Sequence, residues 1–425
     1  MEIKLGYGTG VQTATLPDNN ILKILEPNPI TPGGDSDSII KDALVNPIGT
    51  PRLADIIKPG EKIAILTSDI TRPMPTSAVL PHLLEELSNA GAKPSDITLV
   101  FARGSHRQHT EDEMKKLAGD EAFASINCVD SDPDDCIHMG TTRRGTSVDI
   151  TRIVAEADRR ICLGNIEYHY FAGYSGGVKA LMPGASTPAA IQQNHSMMVD
   201  ANAYAGNLET NPLRNDLEEA AEICPIDFIL NVVLDEHKQI VHAVAGDVKK
   251  AHREGCKFLD RLYQVKIPAK ADIVIVSQGG APKDLNLYQT QKALDNAKHA
   301  VKDGGTIILV GSCKEGLGQK TFEEWITTAK SPSDLVKRIE EDFQLGGHKA
   351  AAIAMVMEKA NIKLVSEMDP DFVESIFMEP YSDLQQAVED ALAQHGGAAD
   401  QQHGGSPSII VMPYGGSTLP KLADL

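Results

Sequence analysis

The chain has 425 residues, enough for two or three domains with hydrophobic cores of their own. Its 40 Lys and Arg residues against 59 Asp and Glu residues give a net charge of −19, which disfavours nucleic acid and anionic membranes as partners. The apolar runs are far shorter than the ~20 residues of a membrane-spanning helix. We therefore predict a globular protein that binds neither nucleic acid nor membrane.

The first residues contain no basic segment followed by an apolar one, so we predict no signal peptide and a cytoplasmic location. No Cys-x-x-Cys pair occurs, which argues against a structural zinc site and a disulfide framework. We expect six reduced and mostly buried thiols: Cys128, Cys136, Cys162, Cys224, Cys256 and Cys313.

Hydrophobic patterns predict alternating strands and helices in the first half of the chain. Residues 2–5 and 21–24 are predicted as two short strands of an antiparallel meander. Strands follow at 62–68 and 97–102, with a helix at 76–90 between them. This order is typical of a parallel α/β sheet, whose ligands bind at the carboxyl ends of the strands.

The second half repeats the pattern after a Pro- and Lys-containing stretch at 266–270, which predicts a domain boundary. A helix is predicted at 285–301, and strands at 272–277, 306–310, 363–366 and 408–412. We therefore predict two α/β domains with mixed sheets and an interdomain active-site cleft. Their expected bounds are 1–266, rejoined by 406–425, and 267–405, where the Gly-rich stretch 395–406 is a linker or loop tip.

Two polar loops directly follow predicted strands. In the first, Arg72 can bind a carboxylate in bidentate fashion, and Asp69 can hold a ribose hydroxyl or orient the arginine. An Asp–Arg pair that only stabilises a turn explains this loop equally well. In the second, His106 suits a general base because an unperturbed imidazole has a pKa of ~6.5, but an ordinary surface histidine is the alternative. His109 follows three residues later, but no third metal ligand lies nearby.

Residues 168–184 concentrate three tyrosines, one phenylalanine and four glycines in a chain with 4% aromatic residues. Glycines such as Gly176 and Gly177 let backbone N–H groups approach an anion such as phosphate. Val178 and Ala180 stand where a Walker A loop requires Gly and Ser or Thr, so this is not an ATPase motif.

Two further segments contain candidate binding residues. His195 is predicted on a helix that begins at Thr187 and Pro188, but a single histidine cannot form a metal site by itself. Any metal there needs other donors. Tyr288 and Lys292, four residues apart, share a helix face, which an ordinary amphipathic surface explains as well as a substrate-binding site does.

The ordered set of these motifs resembles the nickel-pincer lactate racemase family. It includes His169-x9-Lys179, His195 sixteen residues after that lysine, and Tyr288-Gln289-x2-Lys292. With the loops at 68–73 and 104–107, the resemblance extends from about residue 68 to residue 349. It implies a racemase or epimerase that inverts C2 of a small, lactate-like 2-hydroxy acid.

The family's cofactor is a nickel-pincer nucleotide, a pyridinium-3,5-bisthiocarboxylic acid mononucleotide that binds nickel through sulfur, carbon and sulfur. The resemblance implies that Lys179 is attached to it covalently through a thioamide and that His195 completes a square-planar nickel site. Gly176, Gly177 and Asp69 would lie beside the nucleotide, in the N-terminal domain. Cofactor-maturation proteins would be partners of the chain.

The resemblance also implies a mechanism of hydride transfer from the substrate to the cofactor. His106 and His169 would accept or return the hydroxyl proton, one for each enantiomer. The remaining residues would bind the substrate through its carboxylate and carbonyl oxygens: Arg72, Lys292, Tyr288 and Gln289.

The substrate and the class of protein leave alternatives. Ala350, Ala351 and Ala352 occupy a region where the lactate enzyme has a large aromatic residue, so malate, 2-hydroxyglutarate, longer aliphatic acids and sugar acids stay open beside lactate. One alternative is a nicotinamide-dependent 2-hydroxy acid dehydrogenase, but its Gly-x-Gly-x-x-Gly motif after a strand is not found. The other is a non-catalytic nickel- or nucleotide-binding protein, for which two histidine bases would have no purpose.

Overall fold

The structure, a computed structural model, describes residues 1–396 and 406–423. The chain divides into two compact units. One is Ile30–Arg261, and the other combines Met1–Pro29 with Leu262–Leu425. Most of the stretch predicted as a linker, residues 397–405, lies outside the described residues.

The two units differ from the expected domains at both ends of the chain. Strand Ile21–Ile24 pairs in parallel with Ile409–Met412, so the first residues belong with the second half of the chain. Strand Glu2–Tyr7 pairs with Gly10–Thr15 instead, so the predicted meander with 21–24 is wrong. Residues 406–423 also do not rejoin the first domain, because Ile409–Met412 pairs with Ala271–Ser277. Hydrophobic alternation identifies a strand but does not identify its partner.

The unit Ile30–Arg261 is built on a mixed six-stranded sheet. Its strands lie side by side in the order Ile240–Gly246, Phe228–Leu234, Arg159–Asn165, Ile63–Ser68, Ile97–Ala102 and Asn127–Asp130. The first two are antiparallel and all other neighbours are parallel. The strand predicted at 62–68 is therefore central, and it is almost entirely buried, as the strands of a covered parallel sheet are.

Helices and two hairpins complete this unit. The helix predicted at 76–90 is confirmed as Thr76–Asn89, and it packs in the same hydrophobic core as Ile65 and Leu99 of the sheet. The α-helices are Ser36–Val45, Leu53–Ile56, Thr76–Asn89, Glu111–Ala118, Asp120–Ser125, Arg152–Ala155, Pro188–His195, Pro212–Ile223 and Lys250–Tyr263. The hairpins pair Cys136–Thr141 with Ser147–Thr151, and Tyr168–His169 with Gly173–Tyr174.

The other unit contains an all-parallel six-stranded sheet, where a mixed sheet was expected. Its order is Glu379–Tyr381, Ala360–Val365, Val301–Val310, Ala271–Ser277, Ile409–Met412 and Ile21–Ile24. Gln264–Ile267 pairs separately with Leu419–Leu422. The helices are Leu287–Ala297, Lys320–Thr328, Pro332–Glu341, Gly347–Met357, Pro370–Ser375 and Leu384–His395. No helix within the described residues is long and apolar enough to cross a membrane.

Candidate active site

Eight of the eleven predicted site residues belong to the unit Ile30–Arg261: Asp69, Arg72, His106, His169, Gly176, Gly177, Lys179 and His195. Most of them follow three neighbouring strands, Ile63–Ser68, Ile97–Ala102 and Arg159–Asn165, which run parallel. The carboxyl ends of these strands therefore meet at one edge of the sheet, as predicted for a ligand site.

Asp69 and His106 form a hydrogen-bonded pair at this edge. His106 Nδ1 contacts Asp69 Oδ2, and Asp69 Oδ1 accepts bonds from the Thr71 hydroxyl at 2.7 Å and the Thr71 N–H at 3.1 Å. Burial opposes ionisation of Asp69, but the bonds from His106 and Thr71 and the charge of Arg72 keep the pKa of Asp69 below its ordinary value. The ionised carboxylate places the imidazole proton on Nδ1, which leaves Nε2 as a proton acceptor. The His106 side chain is 44% exposed, so a ligand can reach it.

His109 holds the loop that contains Asp69. Its Nδ1 is bonded to Asp130 Oδ1 at 2.5 Å, and its Nε2 accepts the N–H of Ile70 at 3.1 Å. His106 and His109 therefore bind different carboxylates and do not form a metal pair. Sequence spacing gave no sign of this supporting role, because Asp130 lies on another strand.

His169 lies in the hairpin that pairs Tyr168–His169 with Gly173–Tyr174. The hydroxyls of Tyr168 and Tyr174 both donate to Asp260 Oδ1 at 2.7 Å, which closes the base of the hairpin. His169 Nδ1 accepts the N–H of Ala172 at 3.2 Å. Burial lowers the pKa of His169 well below its ordinary value, and the charge of Arg72 acts in the same direction. His169 is therefore neutral at physiological pH, with its proton on Nε2.

Gly176 and Gly177 are required by the close packing of the loop. Both have left-handed backbones, with φ of 71° and 61°. A Cβ atom at Gly176 would lie 2.8 Å from Asn231 Oδ1, and one at Gly177 would lie 3.0 Å from the His252 ring. The Gly177 N–H also donates to Asn231 Oδ1 at 2.7 Å. This packing explains both glycines, and their contact with a nucleotide stays a prediction.

Lys179 follows on the short 3-10 turn Gly177–Ala180. Burial lowers the pKa of Lys179 well below its ordinary value, and the positive charges of Arg72 and Arg214 lower it further. A neutral amine has a free lone pair and is a nucleophile, whereas an ammonium group is not. The environment of Lys179 therefore fits a residue that forms a covalent bond with a cofactor.

Arg214 is a buried cation at the same hairpin that sequence reasoning missed. Its guanidinium donates to the carbonyl of Ala172 at 3.4 Å and to the carbonyl of Tyr174. Its Nη1, like the Nδ2 of Asn231, is buried without a hydrogen-bond partner. Unsatisfied buried donors are costly, and an anionic group with phosphate oxygens would satisfy them. The residues present thus fit a phosphate-bearing ligand.

His195 is the last residue of the predicted helix, which the structure confirms as Pro188–His195 with Thr187 as N-cap. Its ring is edge-on to Phe171 at 4.9 Å, and Phe171 contacts the His169 ring at 4.5 Å. The structure therefore brings the candidate metal ligand and a candidate base to the same aromatic residue. Across residues 1–396 and 406–423, no three His, Cys, Asp or Glu side chains are placed to hold a metal. A metal at His195 needs donors from another molecule.

The other three predicted residues lie on helix Leu287–Ala297 of the second unit, with Asn286 as N-cap. Lys349 supports this segment: its Nζ donates to the carbonyl of Tyr288 at 2.7 Å and lies 4.1 Å from the centre of the Tyr288 ring. The structure thus gives a role to the Gly-Gly-His-Lys segment, to which sequence spacing assigned none. Lys292 is exposed and Gln289 half-buried.

Ala350, Ala351 and Ala352 are buried in helix Gly347–Met357. The first residue of this helix, Gly347, packs directly on the Trp325 ring. A Cβ atom at Gly347 would lie 2.3 Å from that ring. Small residues here are consistent with close helix packing. The wider range of substrates inferred from these alanines stays a prediction.

We predict that the buried His348, beside Lys349, lowers the free energy of unfolding in acid. Burial, followed by the charge of Lys349, lowers the pKa of His348 to about 3. The unfolded chain, with a pKa of ~6.5, then binds the proton more tightly. The contribution of neutral His348 to the free energy of unfolding is fully present above pH ~6.5 and is lost as the pH falls toward 3. At pH ~5 the loss is about 2 kcal/mol. His348→Asn retains an acceptor for the N–H of Gly346 and should reduce the acid loss by that amount in urea titrations. The exposed His237→Asn is the control, and equal pH dependence in both variants would contradict the prediction.

Comparison with known proteins covers nearly the whole chain. Residues 7–206 match the lactate racemase N-terminal domain, and residues 266–418 match the lactate racemase C-terminal domain. The lactate racemase of Thermoanaerobacterium thermosaccharolyticum is 35% identical over 398 residues, which cover 91% of this chain and 93% of that protein. The chain belongs to the lactate racemase family. It is therefore a racemase, an isomerase, and the predicted family is confirmed.

Three further comparisons follow, of which the first two agree with this membership and the third concerns the fold alone. The lactate racemase of Lactiplantibacillus plantarum is 34% identical over 371 residues, covering 85% of this chain and 87% of that protein. The apoprotein structure of the Thermoanaerobacterium enzyme has a TM-score of 0.89 at 34% identity, covering 99% of this chain and 100% of that one. A Thermotoga maritima protein shares the fold, with a TM-score of 0.65 at 18% identity, covering 94% of this chain and 100% of that one. The predicted α/β fold class is thereby confirmed.

Proposed function

We propose that this racemase inverts C2 of a small 2-hydroxy acid, lactate or a close relative, with a nickel-pincer nucleotide attached to Lys179. The observation that supports the proposal most is the combination, in one unit, of the Asp69–His106 pair, neutral His169 and Lys179 with its lowered pKa. When bound, the cofactor would supply the acceptor for the hydride from C2. The family's catalytic chemistry gives each of these side chains a task.

The residues that would hold the cofactor are Lys179, His195, Gly176 and Gly177. Lys179 would form the covalent bond and His195 would be the nickel ligand, while maturation proteins would deliver the group. The buried, unsatisfied donors on Arg214 and Asn231 are consistent with the phosphate of a nucleotide. Asp69 was predicted to contact the ribose. Its two oxygens already accept bonds from His106 and Thr71, so we propose that it mainly orients His106.

The two histidines would handle the hydroxyl proton of the two enantiomers. For one enantiomer, Nε2 of His106 accepts the proton, and Asp69 stabilises the imidazolium that forms. For the other, His169 must first release the N–H of Ala172, which frees the lone pair of Nδ1 to accept the proton. His106 is therefore ready to accept a proton, whereas His169 must first lose the hydrogen bond that it accepts from Ala172.

The substrate carboxylate would bind to Arg72, which is exposed and presents a planar, bidentate donor. Lys292, with Tyr288 and Gln289 on the same helix, would also bind substrate oxygens. Lys349 would act on the substrate only through Tyr288, whose carbonyl and ring it contacts. The cytoplasmic location stays a prediction.

Chiral chromatography with a panel of acids tests this proposal. The chain is co-expressed with the cofactor-maturation proteins, and loading is verified by intact mass and nickel content. Single enantiomers of lactate, malate, 2-hydroxyglutarate and a longer aliphatic acid are then incubated with it. We expect at least one acid, with lactate the first candidate, to reach an equal mixture of enantiomers. A verified loaded protein that racemises none of them contradicts the proposal.

A further inference from the structure

A chain of buried hydrogen bonds ends on His195. The Thr142 hydroxyl donates to Asp216 Oδ1 at 2.5 Å, and Asn194 Nδ2 donates to Asp216 Oδ2 at 2.8 Å. Asn194 Oδ1 lies 3.1 Å from His195 Nδ1. Asn194 and Asp216 are 0% and 1% exposed, so water does not compete for these bonds. No motif in the sequence indicated this series of hydrogen bonds.

The orientation of the Asn194 amide follows from its neighbours. One end of the amide faces Asp216 Oδ2 and, at 3.3 Å, the carbonyl oxygen of Leu213. A carboxylate and a carbonyl only accept hydrogen bonds, so the NH2 group must be at this end. The oxygen then faces His195. Since an amide oxygen cannot donate, Nδ1 of His195 must bear the ring proton, which leaves the lone pair on Nε2.

We propose that Asn194 and Asp216 are positioning residues that fix the tautomer of His195, so that Nε2 is always the nitrogen able to bind a metal. The inference rests on the proposed function only where it concerns nickel. Metal-binding histidines commonly donate their other N–H to an oxygen, and losing that partner weakens metal binding by ~10–100-fold. Asn194 supplies that oxygen, and Asp216 prevents its amide from turning around.

The same helix also supports the hairpin of His169. Asp216 lies on helix Pro212–Ile223, whose N-cap Asn211 donates to the carbonyl of Phe171 at 2.8 Å. A structural role of the buried bonds in packing this helix is therefore the alternative to be tested. Packing alone does not depend on which way the Asn194 amide points, whereas the tautomer of His195 does.

A swap of the two polar groups separates these roles. Asp216→Asn introduces an NH2 group that can donate to the Asn194 oxygen, so the amide can turn and present its own NH2 to His195. The ring proton would then move to Nε2. The double variant N194D/D216N restores an acceptor oxygen opposite Nδ1 of His195. The new carboxylate at position 194 accepts hydrogen bonds both from the new amide and from His195 Nδ1–H. Thr142→Val is the matched control, since it removes a buried bond to Asp216 without changing the Asn194 amide.

Nitrogen-15 NMR of the full chain without cofactor reads the tautomer directly, with the His195 signals assigned through His195→Gln. We expect a protonated Nδ1 in the wild type, in T142V and in the double variant, and a mixture that includes protonated Nε2 in D216N, whose new amide can face Asn194 with either end. A protonated Nε2 in the wild type, or an unchanged tautomer in D216N, overturns the inference. If D216N does not fold, a protonated Nε2 in the double variant overturns it.

Nickel retention during dialysis against a chelator is the second measurement, made on proteins that have the covalent adduct. D216N should lose nickel ~10–100-fold faster than the wild type, and the double variant should lose it at close to the wild-type rate. Equal nickel loss in D216N and wild type overturns the inference as it concerns metal. If the tautomers behave as expected but no protein with the adduct binds nickel, the inference on the tautomer is supported and the proposed function is contradicted.

Discussion

Lys179→Ala is expected to abolish the covalent adduct and, with it, racemase activity. Lys179 is half-buried, and desolvation together with the charges of Arg72 and Arg214 favours its neutral, nucleophilic form. Lys179→Arg should fail equally, because a guanidinium stays protonated and is therefore not a nucleophile. Intact-protein mass after co-expression with the maturation proteins measures the adduct.

The control for this prediction is an exposed lysine of the same unit. Lys257 is paired with Glu254 on the surface of helix Lys250–Tyr263, and Lys257→Ala should retain the full adduct mass. An adduct of unchanged mass on Lys179→Ala would show that the cofactor is attached elsewhere or bound without a covalent bond. Loss of the adduct from both variants would point to a general failure of loading.

His106→Gln is expected to lower kcat by ~10²–10⁴-fold, the usual contribution of a general base. Asp69→Asn should have an effect of similar size, since an amide can donate to Nδ1 of His106 and move the ring proton to Nε2. Chiral chromatography of loaded proteins measures both rates. Because two enantiomers have equal free energies in water, kcat/KM must fall by the same factor in both directions.

The adduct mass separates two roles of Asp69. If Asp69 mainly orients His106, Asp69→Asn should contain as much nickel and nucleotide as the wild type while its kcat falls. If Asp69 mainly holds the ribose, loading should fall and the fully loaded fraction should turn over normally. A loaded His106→Gln variant with the wild-type rate would remove His106 from the proposed proton transfer.

Local features of the fold were predictable from the sequence because they depend on neighbouring residues. The loops that contain Asp69 and His106 do follow neighbouring parallel strands, and His195 does lie on a helix capped by Thr187. Strand pairing was not predictable, because Ile21–Ile24 pairs with residues almost 400 positions later in the chain.

The residues that sequence reasoning missed act through distant hydrogen bonds. Arg214 binds carbonyls in the hairpin of His169, and Asp216 binds the amide of Asn194. Neither residue belongs to a recognisable motif, since each lies on an ordinary amphipathic helix, Pro212–Ile223. Their roles become visible only when buried donors and acceptors are matched one by one.

The net charge of −19 and an anionic substrate are compatible. Charges separated by more than ~8–10 Å are largely screened at physiological salt, so the surface as a whole has little effect inside a site. Arg72, Lys179 and Arg214 lie close enough for Arg72 and Arg214 to lower the pKa of Lys179. We expect the charges of Arg72 and Arg214, rather than the overall charge, to determine local affinity for a carboxylate or phosphate.

We propose that the loaded protein racemises a 2-hydroxy acid by moving the C2 hydrogen as a hydride that does not exchange with water. The most direct measurement uses one enantiomer of lactate with deuterium at C2, or of whichever panel acid is racemised, in ordinary water. The products are separated by chiral chromatography and analysed by mass spectrometry. We predict an equal mixture of enantiomers that both retain deuterium at C2. Loss of the deuterium to water as the second enantiomer forms would contradict hydride transfer, and no second enantiomer from any acid of the panel would contradict racemisation of these acids.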